Sequence, residues 1–221
     1  MEAQLSRGTG DVRRCLALAF CALIASAGVS RAAAQACLGH AEPLSRRTFV
    51  AGLLAEIGHQ YQSGQLKLTA KKSRGVLGAV TIGATRINEG RVGLVIGGEV
   101  GYSGFPRLGR GLESCLFGGV LHDRGLGPTT DYRIGMSVAY PLRPTSSSRF
   151  TPVATLTVNR QNYTFNLIHS QRTVVEWYGT MDLGMALRIG RRWSLTPGVR
   201  LFVAYAGGRD PSVLLNMNLG M

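Results

Sequence analysis

Residues 177–189 read WYGTMDLGMALRI, and every second position from Trp177 onward is apolar or glycine. The positions between them, from Tyr178 to Arg188, carry polar, charged or small side chains, including Asp182. Successive side chains of a β-strand point to opposite faces of a sheet. This period of two therefore predicts a long strand with one apolar face and one polar face.

The same alternation recurs through most of the chain after residue 46. Eight strands are one interpretation, because residues 65–73 contain three lysines and residues 113–121 form a short segment. The preferred interpretation is ten strands, at residues 47–58, 65–73, 75–86, 91–103, 113–121, 130–141, 149–159, 173–189, 191–205 and 211–221.

The surroundings of the apolar faces need further arguments, because soluble sandwiches alternate as well. The strands are long, they carry charges in the middle of their polar faces, and aromatic side chains bracket their apolar faces. Tyr132 and Tyr140 lie about 26 Å apart along one strand face. With a tilt of roughly 40°, they span about 20 Å, near the apolar band of a transmembrane barrel. These features predict an all-β, antiparallel, up-and-down barrel, closed because lipid offers no partner to a free strand edge.

The side chains of this barrel fall into two predicted sets. The predicted aromatic girdle comprises Tyr132, Tyr140, Trp177, Trp193 and Tyr205. The predicted interior charges are Glu99, Arg133, Glu176, Asp182, Arg188 and Arg200. They could line a pore that selects anions, or pair with one another in a closed core. Pairing is favoured, because side chains mostly fill the interiors of barrels this small.

The amino terminus has the pattern of an export signal. Arg13 and Arg14 precede an uncharged apolar stretch, residues 15–29, and three alanines end at Ala34. This pattern predicts a cleaved signal peptide over residues 1–34, a periplasmic segment over 35–46 and a barrel over 47–221. Cleavage removes four arginines and two acidic residues, so the net charge falls from +13 to +11. With dispersed arginines, this charge favours anionic lipid headgroups over nucleic acid as partners.

Two cysteines follow the predicted cleavage site, Cys37 and Cys115. An even number of cysteines in an exported chain predicts one disulfide, and its 78-residue separation is worth roughly 4 kcal/mol. With ten strands, both cysteines fall at the periplasmic end of the barrel. The alternative, a lipoprotein acylated at Cys37, is disfavoured because Gln35 fits its recognition motif poorly.

The last ten residues, 212–221, alternate apolar side chains up to the end of the sequence. With the preceding strands, they resemble the small outer-membrane β-barrel proteins of Gram-negative bacteria, the porin-like or OmpA/OmpX-like class. The resemblance covers residues 47–221. It implies a monomer in the outer membrane, surrounded by lipopolysaccharide and inserted by the barrel-assembly machinery through its C-terminal strand. Met221 departs from the class, which usually ends in an aromatic residue.

Chemistry-bearing motifs are sparse. The spacing of His40, His59, His122 and His169 matches no zinc site, and we expect no catalytic residue, metal or cofactor. The expected function is a structural or surface-interaction role, and the first alternative is a narrow channel for small anionic solutes. The second alternative is a barrel enzyme that hydrolyses lipid or peptide with His122 or His169.

Residues 159–172 are expected to extend two strands as a hairpin, with a ligand-contacting tip as the alternative.

Overall fold

The computed structural model describes residues 35–37, 40–42, 49–59, 61–71, 75–87, 92–103, 112–124, 128–140, 150–167, 170–189, 192–203 and 210–220. The predicted signal peptide lies outside this range. Among the described residues, no helix is long and apolar enough to cross a membrane.

Strands account for nearly all of the described chain. A short hairpin comes first, formed by β1 (Gln35–Cys37) and β2 (His40–Glu42). The remaining strands are β3 (Phe49–Ile57), β4 (Tyr61–Lys71), β5 (Val76–Ile87), β6 (Val92–Tyr102), β7 (Glu113–Asp123), β8 (Thr129–Ala139), β9 (Phe150–Leu167), β10 (Ser170–Ile189), β11 (Trp193–Phe202) and β12 (Ser212–Gly220).

Strands β3 to β12 form one closed antiparallel barrel in which each strand pairs with its neighbours in sequence. The ring closes between β12 and β3, where Gly220 pairs with Val50. Closure removes the free edges that an open sheet would expose. The prediction of ten strands is therefore confirmed, and the eight-strand alternative is wrong.

The largest differences between predicted and observed strand boundaries are at β4, β9 and β10. The strand predicted at residues 65–73 begins at Tyr61 and ends at Lys71, so its lysines did not prevent strand formation. Residues 160–167 and 170–172, predicted to connect two strands, belong to β9 and β10 and pair as far as Leu167 and Ser170. The expected hairpin extension is present, because backbone pairing continues through this polar sequence.

The barrel has two distinct ends. We call the end where β3, β5, β7, β9 and β11 begin the lower end, and the opposite one the upper end. Both cysteines lie at the lower end, so they share one end of the barrel as the ten-strand interpretation requires. Outer-membrane barrels usually have short connections at the periplasmic end and longer ones at the opposite end. In this barrel, β9 and β10 are joined at the upper end by only residues 168–169. At the lower end, ten residues separate β6 from β7 and another ten separate β8 from β9.

The apolar faces of the strands point away from the barrel interior. If the faces were reversed, the barrel would have a shared dry centre containing Leu183, Met185, Val199 and Met217. Instead, these four side chains are 37–42% exposed on the outer wall. The inner wall carries the small, polar and charged side chains together with a few buried apolar ones such as Leu77 and Phe117, so the predicted orientation of the two faces is confirmed.

Candidate functional site

The lower end of the barrel is the most completely buried part of the described chain. The largest side chains that are less than 2% exposed all lie there: Cys37 in the hairpin, and Val50, Thr69, Leu77, Cys115, Ser137, Ser194 and Asn218 on seven barrel strands. Each of the seven is within three residues of the lower end of its strand. The hairpin crosses this mouth, since β1 contacts β7 and β8 while β2 contacts β10 and β11.

A disulfide fixes the hairpin in the mouth. Cys37 and Cys115 are joined, with 5.2 Å between their Cα atoms. Cys37 belongs to one buried cluster with inward-facing apolar side chains of β3, β5 and β7. Gly101 of β6 makes room for the bond, because a Cβ there would lie 2.8 Å from the Cys37 Sγ. We call the hairpin and this disulfide the plug.

A cluster of three charged side chains crosses the middle of the interior. Glu99 accepts contacts from Lys67 through Oε2 and from Arg133 through Oε1, the latter at 2.6 Å. The Glu99 side chain is only 2% exposed. The three residues stand on β4, β6 and β8, so their side chains link alternate strands across the interior. We call them the Glu99 cluster; its formal charge is +1.

Glycine opens the path between two of these groups. Glu99, Gly119 and Arg133 are direct neighbours in register across β6, β7 and β8. A Cβ at Gly119 would lie 2.6 Å from the Glu99 Cγ and 2.6 Å from the carbonyl oxygen of Gly98. The glutamate therefore reaches Arg133 across the intervening strand only because that strand has no side chain at this point.

A second cluster lies nearer the upper end. Arg200 binds both carboxylate oxygens of Asp182, through Nε at 2.7 Å and Nη2 at 2.8 Å. Its Nη1 donates to Glu56 at 2.6 Å, and Ser212 donates to the other Glu56 oxygen at 2.7 Å. We call these residues the Arg200 cluster; its formal charge of −1 cancels that of the Glu99 cluster. Bidentate arginine–carboxylate pairs hold both partners in a fixed geometry.

The two other predicted interior charges lie outside these clusters. Arg188 is half-buried near the lower end of β10, on the same strand face as Asp182. Glu176 is also half-buried, but it lies beyond the point where β11 ends, beside the upper rim. Two polar contacts complete the upper interior: Thr85 donates to Asp123 at 2.8 Å and Tyr178 donates to Asp131 at 3.1 Å.

The outer wall carries aromatic side chains near both ends. Tyr132 and Trp177 are exposed towards the upper end, while Tyr140 and Trp193 are exposed at the lower end. Tyr205, the fifth predicted member of the girdle, lies outside the described residues. Three exposed aromatic residues that the sequence analysis missed extend the lower ring: Phe49, Tyr102 and Phe150.

Sequence analysis also missed Lys67, whose position had counted only as an argument against a strand. Its partner Glu99 is on β6, and a pairing between strands that are not adjacent leaves no local pattern. The sequence did contain one signal, the alternation of side chains along the strand. Lys67 stands between the outward Leu66 and Leu68, so its own side chain must point inward.

The histidines do not converge in the part of the chain that is described. His122 places Nδ1 3.1 Å from the Thr130 hydroxyl, and His59 is exposed 4.0 Å from Asp210. The side chain of His40 and the whole of His169 lie outside the described residues. No group of three or more potential metal ligands occurs among the residues that the structure describes.

Sequence comparison finds no family model and no curated protein that matches this chain. Several solved structures are similar in architecture. The N-terminal β-barrel domain of Pseudomonas aeruginosa OprF is 12% identical with a TM-score of 0.43, covering 79% of this chain and 98% of that one. KdgM porin is 7% identical with a TM-score of 0.41, covering 78% and 99%. LpxR from Salmonella typhimurium is 12% identical with a TM-score of 0.40, covering 88% and 79%.

These neighbours are outer-membrane β-barrels. The chain shares with them a closed antiparallel barrel made almost entirely of strand. The similarity concerns architecture and identifies no specific role.

Proposed function

We propose that the protein is an outer-membrane β-barrel with a closed interior and a structural or surface-interaction role. The observation that carries the proposal is the contrast between its walls. Large apolar side chains are exposed around the outside, whereas the inside is crossed by paired charges and plugged at its lower end. An apolar outer wall of this extent is stable in acyl chains and unfavourable in water.

Membrane location is tested by fractionation. The protein should stay with membranes washed in high salt and in alkaline carbonate, and detergent should release it. The extracted barrel should also migrate faster on a gel before heating than after it, because a folded barrel is more compact than the unfolded chain. Release by washing alone would contradict membrane insertion and favour a soluble β-protein.

The closed interior is tested by conductance. The two clusters together involve seven of the ten barrel strands, and their formal charges cancel, so the clusters supply no excess of positive charge to select anions. Purified protein should produce no current steps in a planar bilayer, while a conducting porin added to the same bilayer shows that the assay responds. Reproducible steps from the protein alone would instead support the narrow anion channel, and the ratio of anion to cation permeability would then measure its selectivity.

A further inference from the structure

We propose that the outer wall of β8, β9 and β10 holds the phosphorylated headgroup of a glycolipid at Arg160. The proposal rests on the membrane location proposed above and gives that location a specific ligand. Arg160 pairs in register with Tyr132 on one side and with Trp177 on the other. All three belong to the outward face, and the Arg160 Cζ lies 5.9 Å from the centre of the Tyr132 ring. The aromatic face thus holds the cation by a cation–π contact.

The neighbouring rows of side chains place Arg160 at a boundary. Towards the lower end, the next outward pair is Ile134 and Val158, which are 66% and 48% exposed and belong to the apolar wall. Towards the upper end, the next outward side chains on β7, β8 and β9 are polar, namely His122, Thr130 and Asn162, while Val175 on β10 is apolar and 45% exposed. On β8 and β9, Arg160 therefore stands where the wall changes from apolar to polar, at the depth where headgroups meet acyl chains.

The charge of Arg160 calls for an anion. In the described part of the chain, the ion pairs involve other basic side chains, and no carboxylate pairs with Arg160. An arginine on the lipid-facing wall is costly unless its charge is balanced. A phosphate from the lipid phase balances it and matches the geometry of the guanidinium group with two parallel hydrogen bonds.

The row above Arg160 favours a sugar as the carrier of that phosphate. Thr130 and Asn162 carry a hydroxyl and an amide group on the outer wall, and both residues are partly exposed. Hydroxyl groups of a headgroup sugar can exchange hydrogen bonds with both. A glycolipid with phosphate, sugar hydroxyls and several acyl chains satisfies the three chemistries of the site together: the cation, the polar row and the apolar wall.

The test is lipid binding by the full protein in detergent, followed by native mass spectrometry. Bisphosphorylated lipid A is the probe, and the same lipid without its phosphates is the comparison. Arg160→Gln should weaken binding of the phosphorylated lipid by about tenfold and leave binding of the dephosphorylated lipid unchanged. Arg160→Lys, which keeps the charge and loses the planar fork, should fall between Arg160→Gln and the wild type.

Arg86 provides the matched control, because it is an exposed arginine on the outer wall of β5, four strands away from β9 around the ring. Arg86→Gln should bind the probe as the wild type does. Equal weakening by Arg86→Gln and Arg160→Gln would overturn the site in favour of general charge attraction, and phosphate-independent binding would also overturn it. If phosphatidylglycerol displaces lipid A at equal concentration, the assignment to a glycolipid is wrong.

These outcomes are separate from the failure of the proposed function. Unheated gel mobility verifies that each variant is folded before binding is measured. If the protein needs detergent for extraction but its lipid binding does not depend on phosphate, only the proposed Arg160 site is wrong. If washing alone releases the protein, the proposed membrane location is wrong.

Discussion

The two ends of the barrel differ in what they bury. At the lower end, which the plug occupies, inward side chains from seven strands are each less than 2% exposed. At the upper end, β9 and β10 continue past the end of β11, and His59 and Asp210 face one another with about three-quarters of each side chain exposed. The lower end therefore contributes packing and a covalent bond, whereas the upper end presents polar groups to its surroundings.

This difference shows how one strand pattern serves two purposes. Alternation continues along each strand, but inward side chains are buried near the plug and exposed to water near the upper rim. Substitutions should accordingly lose their effect on stability as they move from the lower end through the Glu99 cluster to the upper rim. Four experiments test this gradient, and unfolding by urea in lipid vesicles, followed by tryptophan fluorescence, provides a common measurement.

The largest effect should come from the plug. Replacing both Cys37 and Cys115 by serine should lower the free energy of unfolding by roughly 4 kcal/mol, because the bond closes a 78-residue separation. Wild-type protein treated with a reductant should match the double variant. An unchanged unfolding midpoint in both samples would show that the disulfide of the plug does not stabilise the barrel.

The Glu99 cluster should come next. Glu99→Gln removes the carboxylate charge that Lys67 and Arg133 both contact, and we expect a loss of about 3 kcal/mol. The isosteric substitution keeps the volume, so the loss reports on charge. A loss below about 1 kcal/mol would show that water reaches the cluster, and it would weaken the case for a closed interior.

A smaller effect is expected at Gly119, where an added methyl group would press against Glu99 and the Gly98 carbonyl. Gly119→Ala should cost about 2 kcal/mol, as overpacking of a filled interior does. Gly78→Ala is the control, since a Cβ at this outward glycine meets nothing within 4 Å. Equal effects of the two substitutions would mean that strand propensity, and not the path to Arg133, determines the result.

The smallest effect should be found at the upper rim. Asp210→Asn removes the partner of His59, yet both groups are exposed and 4.0 Å apart. The free energy of unfolding should change by no more than about 0.5 kcal/mol, as is usual for surface ion pairs. A loss comparable to that of Glu99→Gln would contradict the gradient between the two ends.

The sequence predicted the walls of the barrel better than their ends. Alternation is local, so the outward direction of Leu183 and Val199 could be read from their own strands. Along β9, every second position is apolar up to Val158 and polar from Arg160 onward, so residues 160–167 were predicted as a hairpin extension and not as part of the strand itself. The prediction of interior contacts was incomplete for a different reason. Lys67 contacts Glu99 across an intervening strand, and the register that brings them together is fixed only in the closed ring.

The aromatic residues illustrate the same division. Tyr132 and Tyr140 were predicted as a bracketing pair because they share one strand face. Phe49 and Phe150 open their strands, and nothing in their immediate sequence shows that they lie level with Trp193 at the lower end. Their common height appears only when the strand starts are aligned around the barrel.

The pairing of β12 with β3 sets an order for biogenesis. The seam that seals the ring requires β12, so it cannot form until all ten barrel strands have been delivered. The Cys37–Cys115 bond, in contrast, needs the chain only as far as β7. In the exported protein that we propose, oxidation can therefore tether the hairpin of β1 and β2 to β7 while the later strands are still arriving, so that the lower mouth is already occupied when the cylinder is sealed.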